Sequence, residues 1–128
     1  MPLLLDTHAL IWWLTGKPNL SKEARAAIEN VDNMIIVSAA SAWEIAIKFR
    51  IGKLPEVAHL VENFTAEIGI EGFQLLPISI DHAIRAGMLP QIHKDPFDRM
   101  LLAQCQAENL AIVSNEELFD RYAVRRIW

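Results

Sequence analysis

Pro2-Leu3-Leu4-Leu5-Asp6 sets three leucines in a row and stops at a carboxylate. An unbroken apolar run bounded in this way suits a strand covered on both faces, the habit of parallel sheets. Ile35-Ile36-Val37 repeats the pattern. Acids recur where later strands run out, in Ser41-Ala42-Trp43-Glu44, Asp95-Pro96-Phe97-Asp98 and Val113-Ser114-Asn115-Glu116. If the strands lie parallel, their carboxyl ends share one edge of the sheet, where open α/β folds place their crevice. Four carboxylates would then converge. Like charges repel unless a cation sits among them, so the pattern predicts a bound divalent metal.

Working outward, strands alternate with helices of about ten residues, a βαβ rhythm. Met1 to Leu5 reads as the first strand and Thr7 to Leu14 as a helix with Leu10, Ile11 and Leu14 on its apolar wall. Ser21 caps a second helix, Lys22 to Asn30. Met34 to Val37 is the second strand. Ser41 opens a helix to about Ile51, with Gly52 suited to its C-terminal stop. Glu56 to Ile68 reads as one amphipathic helix, with Val57, Leu60, Val61, Phe64 and Ile68 on one side. Phe73 to Leu76 is the third strand, and Ser79 caps a helix through Met88. Asp95-Pro96 opens a longer helix to about Asn109, with Pro at its first position. Ala111 to Val113 is the fourth strand, Glu117 to Tyr122 a short helix, and Val124 to Trp128 a last strand at the sheet edge. The expected fold is a three-layer α/β/α sandwich around a mainly parallel sheet, with residues 1–128 forming a single domain.

Composition narrows the function. The hydrophobic fraction is 52% and the mean hydropathy +0.20. Even so, the longest apolar run, Ala9 to Leu14, is far too short to span a bilayer. No basic n-region precedes the first strand, so neither a secretory signal nor membrane association is expected. A single Cys105 cannot form an internal disulfide, which suits a reducing cytoplasm, and its neighbours Leu102, Ala103 and Ala107 mark it as a small buried hydrophobe. The net charge of −4 argues against gripping nucleic acid by bulk electrostatics. If the substrate is a nucleic acid, the attraction must be local, from a metal and a few nearby cations.

Each acid also has a purely structural reading. Asp6 suits the N-cap of the helix at Thr7. Ser41-x-x-Glu44 matches a capping box. Asp95 is the natural cap before Pro96, which leaves Asp98 in the first turn, where the helix dipole should lower its pKa and ready it for a cation. Glu116 stands beside Glu117 in an acidic surface stretch, with Asp120 a weaker rival. Two other chemistries of such an edge fail on the residues. A phosphoaspartate receiver wants an acidic pair at the first strand and a Lys after the last core strand, but Asp6 precedes Thr7-His8 and Ser114-Asn115-Glu116 holds no Lys. A haloacid-dehalogenase-like phosphatase wants a second Asp where His8 stands. Metal-dependent phosphodiester hydrolysis needs only carboxylates holding one or two Mg²⁺ or Mn²⁺ ions, about 3.5–4 Å apart when paired.

The whole chain resembles a PIN-domain protein, specifically a VapC-type toxin ribonuclease of a toxin–antitoxin pair. The segments that carry the resemblance are Leu4-Leu5-Asp6-Thr7-His8-Ala9-Leu10-Ile11-Trp12, Ser38 through Lys48, and His93-Lys94-Asp95-Pro96-Phe97-Asp98-Arg99 through Gln104. Ile112 through Glu116 and the terminal Ile127-Trp128 complete it. The resemblance implies Mg²⁺- or Mn²⁺-dependent endoribonuclease activity that hydrolyses RNA by metal-activated water, inhibition by a cognate antitoxin, and a homodimer. It places the family's first three acids on Asp6, Glu44 and Asp98, as metal-binding and catalytic residues. The fourth, catalytic in an assisting role, falls on Glu116. The family more often has Asp there, so the longer Glu116 side chain would coordinate through water or sit aside. Ser114 matches a Ser/Thr position and would hydrogen-bond a carboxylate or the attacking water. The rival reading from another class is a non-catalytic PIN-fold interaction module, which predicts gaps in the acidic set.

His93, Lys94 and Arg99 border the third acid, and Lys48 and Arg50 follow the second. All five are candidates for phosphate contact, with solvated surface charge as the plainer reading. Arg121, Arg125 and Arg126 form a C-terminal basic cluster. His8 is expected to point away from Asp6, and His59 and His82 to lie on helix surfaces. Adjacent Trp12 and Trp13 cannot both face inward from one helix, so one of them is expected to be exposed or at an interface.

Overall fold

The three leucines of β1 (Pro2–Leu5) are completely buried because this strand lies at the centre of the sheet. The computed structural model describes residues 1–90 and 93–128. Among these, β2 (Met34–Ser38), β3 (Gln74–Leu76), β4 (Ala111–Val113) and β5 (Arg126–Ile127) join β1 in the order β3-β2-β1-β4-β5, all parallel. Alternation along β1 splits the core in two. Leu3 and Leu5 enter one cluster with Ile35, Val37 and Val113, under α1 (Thr7–Leu14), α2 (Lys22–Glu29) and the later helices α4 (Ala58–Glu62) and α5 (Phe64–Ile70). Leu4 enters the other with Ile36 and Ile112, under α6 (Ile80–Met88) and α7 (Pro96–Glu108). Between them, α3 (Ala39–Arg50) sends Ile45 into the first cluster and Ala40 into the second. The fold is a three-layer α/β/α sandwich.

The topology decides where a site can form. From β1 the chain moves outward through β2 to β3. It then returns through α6 and α7 on the other face to place β4 on the far side of β1. The strand order therefore reverses between β1 and β4, and a crevice opens at their carboxyl ends. Asp6 follows β1, and Ser114 and Glu116 follow β4.

Arg99 fixes α7 against α6. Its guanidinium donates to five backbone oxygens: Ala86 (2.8 Å), Gly87 (3.4 Å), Leu89 (2.7 Å), Pro90 (3.1 Å) and His93 (3.1 Å). Three of these lie at the end of α6, where carbonyls lack helical partners and the dipole favours a cation. Arg99 is thus consumed by the fold and is not a phosphate contact.

Other expectations are corrected by long-range packing. The capping box at Ser41 does not form. Ser38 is the N-cap of α3, accepting the Ala40 N–H at 2.9 Å, while buried Ser41 shares a 2.9 Å hydrogen bond with Thr7 Oγ1. The helix expected over 56–68 breaks at Asn63, leaving a 3-10 turn (Pro55–Val57), α4 and α5. His82 is buried rather than on the surface, in a reciprocal box with Ser79. Trp12 and Trp13 are both half-buried, because Trp128 covers one (5.9 Å between ring centroids) and Phe73 the other (6.3 Å). Trp43 is the exposed one, at 60%. Cys105 is buried as expected, and burial pushes its thiol up to about 12.

Replacing Arg99 by Met should lower the unfolding free energy by about 2–3 kcal/mol, since five carbonyls lose a charged donor. The check is a urea titration at unchanged m-value. A midpoint equal to wild type would show that the guanidinium ties nothing down.

Candidate active site

Pairing of β1 with β4 delivers the first acid. The Asp6 N–H donates to Val113 O at 3.0 Å, and its C=O accepts the Leu10 N–H at 3.0 Å, which starts α1. Asp6 thus occupies the N-cap position, but its side chain caps nothing. Instead, Oδ2 accepts the Ser114 hydroxyl at 2.6 Å. Oδ1 is buried without a partner, and the residue is only 4% exposed. Burial, as the largest cause, raises its pKa, against the Ser114 hydrogen bond, which lowers it.

Glu44 arrives on the second turn of α3 and is 3% exposed. Its Oε2 accepts Lys48 Nζ at 2.5 Å, one helical turn on. Lys48 is therefore an ion-pair partner of the acid it follows. The Thr7–Ser41 hydroxyl bond ties the start of α1 to the turn of α3 before Glu44.

Asp98 stands in the first turn of α7. Asp95 caps that helix through the Phe97 N–H (2.9 Å) and the Asp98 N–H (3.2 Å), which leaves Asp98 for another role. Its pKa is raised from 3.8 to about 8, first by burial, then by the charges of Asp6, Asp95, Glu44 and Glu116. This reverses the expectation drawn from the helix dipole. A dipole contributes about 0.3–1 kcal/mol, less than one pKa unit, and burial among four carboxylates outweighs it. Among the described residues no Lys or Arg nitrogen lies within 4.0 Å of the Asp6 or Asp98 carboxylates.

The Glu116 N–H donates to Ser114 Oγ at 3.0 Å, just past the end of β4, and its Oε1 accepts the Leu118 N–H at 3.2 Å. A cavity of about 290 Å³ is lined by Asp6, His8, Trp12, Asp98, Asn115 and Glu116. Three of the four sequence-picked acids meet there. Glu44 does not line it and acts on the others through its field.

The donor set fits a hard divalent cation: carboxylates of Asp6, Asp98 and Glu116 line one cavity, one Asp6 oxygen is buried and orphaned, and Asp6 and Asp98 lack a Lys or Arg partner among the described residues. Sequence reading missed several of these features. His8 does not point away from the site; it lines the cavity, with its ring 5.7 Å from that of Trp12. His93 Nε2 stands 2.9 Å from Asp98 Oδ2. Of the C-terminal cluster, Arg126 grips Asp120 through two bonds (2.9 and 3.0 Å) and donates to Ser114 O at 3.1 Å. His93, expected only as a phosphate contact bordering the third acid, stands two residues before the cap of α7.

Comparison with known proteins agrees with this geometry. The family model described as PIN domain matches residues 3–125. Ribonuclease VapC16 of Mycobacterium tuberculosis is 45% identical over 64 residues, which cover 48% of this chain and 42% of that protein, less than half its length. Ribonuclease VapC22 of the same organism is 25% identical over 125 residues, 89% of this chain and 86% of that one. The crystal structure of DNA-bound VapBC from Salmonella typhimurium superposes with a TM-score of 0.70 at 20% identity, covering 98% of this chain and 96% of that chain. With the family match spanning residues 3–125, the chain belongs to the PIN-domain family.

Proposed function

We propose that this chain is a Mg²⁺- or Mn²⁺-dependent endoribonuclease, the toxin half of a toxin–antitoxin pair, that hydrolyses phosphodiester bonds of RNA. The observation that carries the reading is the unpartnered, buried Oδ1 of Asp6 in a cavity shared with Asp98 and Glu116. Asp6 and Asp98 are the principal ligands, Glu44 completes the charge of the site, and Glu116 assists at its rim. A bound cation supplies Lewis-acid activation of water and neutralises the charge of the scissile phosphate. Ser114 holds Asp6 in one orientation through the 2.6 Å bond, and Lys48 holds Glu44. The cavity stays open to solvent, as a polymer substrate requires.

The partners follow from the same reading. Relatives named VapBC or toxin–antitoxin complexes support a cognate antitoxin for this chain. Exposed Ile80, Ile84 and Met88 form one stripe of α6 at i, i+4 and i+8, and support pairing with a second copy. Among the described residues no helix is long and apolar enough to cross a membrane. An RNA substrate and the lone thiol of Cys105 support a cytoplasmic location. The rival interaction module predicts gaps in the acidic set, and the only softening in this sequence is Glu116, where the family more often has Asp.

Purified protein should cleave RNA with Mg²⁺ or Mn²⁺ and stop on addition of EDTA. Asp6→Asn, which folds but lacks the charge, should lose at least about 100-fold in rate. Cleavage that survives both treatments would end the metal-dependent reading.

The raised Asp98 pKa also fixes a sign. Between pH 3.8 and about 8 the metal-free folded protein holds a proton that the unfolded chain has released. Stability is therefore greatest at low pH in this window and is lost as pH rises towards 8. Mn²⁺ replaces that proton, so it should raise Tm more at pH 8 than at pH 5. Thermal melts across this range check it, with Asp98→Asn flattening the metal-free slope. A metal-free Tm that climbs from pH 5 to 8 in wild type and variant alike would contradict the assignment.

A further inference from the structure

His93 precedes α7 and is held on every side by groups the nuclease reading does not use. Its N–H donates to Tyr122 Oη at 2.8 Å. Its C=O accepts Arg99 Nη1 at 3.1 Å. Its ring packs on Phe119, 5.6 Å between centroids, and its Nδ1 accepts the Asp95 N–H at 3.3 Å. That leaves Nε2, which lies 2.9 Å from Asp98 Oδ2. This nitrogen is buried, and its line to the carboxylate falls outside hydrogen-bond geometry, so it has no other partner. Among the described residues no other donor reaches the Asp98 carboxylate.

A ring nitrogen of His93, an oxygen of Asp98 and an oxygen of Glu116 lie within 4.8 Å of one another, so two roles compete. His93 could be a metal ligand, or it could be a donor to a metal ligand. The Asp95 N–H decides between them. A backbone amide only donates, so Nδ1 must present its lone pair and the neutral ring carries its proton on Nε2. Ligation through Nε2 would move that proton to Nδ1, where two donors would face each other at 3.3 Å. The half-buried amide of Asp95, the α7 cap, would then lose its acceptor.

We propose that His93 is a positioning residue for Asp98: its Nε2–H takes Oδ2 and turns Oδ1 towards the cation. The inference rests on the metal-dependent reading above. It predicts that the short separation becomes an aligned hydrogen bond when the carboxylate is charged and the ion bound. Metal-ligating side chains are commonly oriented this way, and loss of such a partner costs about 10–100-fold in metal affinity.

Two amide substitutions separate the ring's two nitrogens. His93→Asn places a carbonyl oxygen near Nδ1, so it keeps the Asp95 contact and drops the donor. His93→Gln extends an amide N–H to the Nε2 position. Mn²⁺ titration of the full chain, followed by EPR of the free ion, should show at least about 10-fold weaker binding for His93→Asn. His93→Gln should stay within about threefold of wild type. The pulsed-EPR spectrum of wild type with Mn²⁺ should lack the strong ¹⁴N coupling of a directly bound imidazole. Mn²⁺ affinity unchanged in His93→Asn, or lost in Gln but kept in Asn, overturns the proposal, since that order belongs to a purely structural Nδ1 contact. A strong ¹⁴N coupling overturns it in favour of direct ligation. Wild type that binds no Mn²⁺ sinks the nuclease reading along with it, an outcome distinct from the other two.

Discussion

The register of β1 on β4 is the constraint from which the site follows. Leu5 pairs with Val113, residues more than a hundred positions apart. That pairing sends the Asp6 N–H to Val113 O and brings the Ser114 hydroxyl to Asp6 Oδ2. With Oδ2 occupied and the residue buried, Oδ1 has nowhere to turn. A slip of one residue would send each β1 side chain to the opposite face. Leu4 would leave the α6–α7 layer, and Asp6 would lose both its hydrogen bond and its cleft. Burial of three leucines therefore secures more than the core. It fixes a carboxylate where strand order reverses.

That placement stores electrostatic strain. Burial raises both Asp6 and Asp98, and the charge of each acid opposes ionisation of its neighbours. A proton on Asp98 is one relief and a divalent ion is another. The strain is held in place by the surrounding contacts: Asp95 and Pro96 start α7, Arg99 clamps it to α6, and Ser114 and Lys48 each hold one oxygen. Active sites are commonly less stable than the fold could make them, because unfavourable charge density is what binds the ion.

Features fixed by local pattern were legible in the sequence. Three leucines ending in an acid, a Pro after Asp95 and the β-branched run at Ile35-Ile36-Val37 each marked an element and its end. Features fixed by distant partners were not. Ser38 and Ser41 both looked able to cap α3, and the Glu44 spacing favoured the second. What decides is Thr7, which takes the Ser41 hydroxyl. The break at Asn63 hides in the pattern because Leu60, Phe64 and Ile68 keep helical spacing across it. Asn63 departs from helical backbone and offers its amide to His59 O at 3.5 Å. The pKa of Asp98 follows the same rule: the helix dipole is a local cause, while burial and three of the four opposing charges come from elsewhere in the fold.

The accounting of cations bears on how an acidic protein meets a polyanion. Of the basic residues near the third and second acids, Arg99 is spent on five carbonyls and Lys48 on Glu44. Arg126, near the fourth, is spent on Asp120 and Ser114 O. Among the described residues Lys94 and Arg50 are the nearby cations with no ion pair within 4.0 Å. A chain of net charge −4 then has little fixed positive charge to offer a phosphate at the cleft. Attraction for the backbone must come chiefly through the ion in the acidic site, so binding and chemistry are coupled at one point. The few fixed cations also imply a shallow dependence of RNA binding on monovalent salt, because few counterions are released.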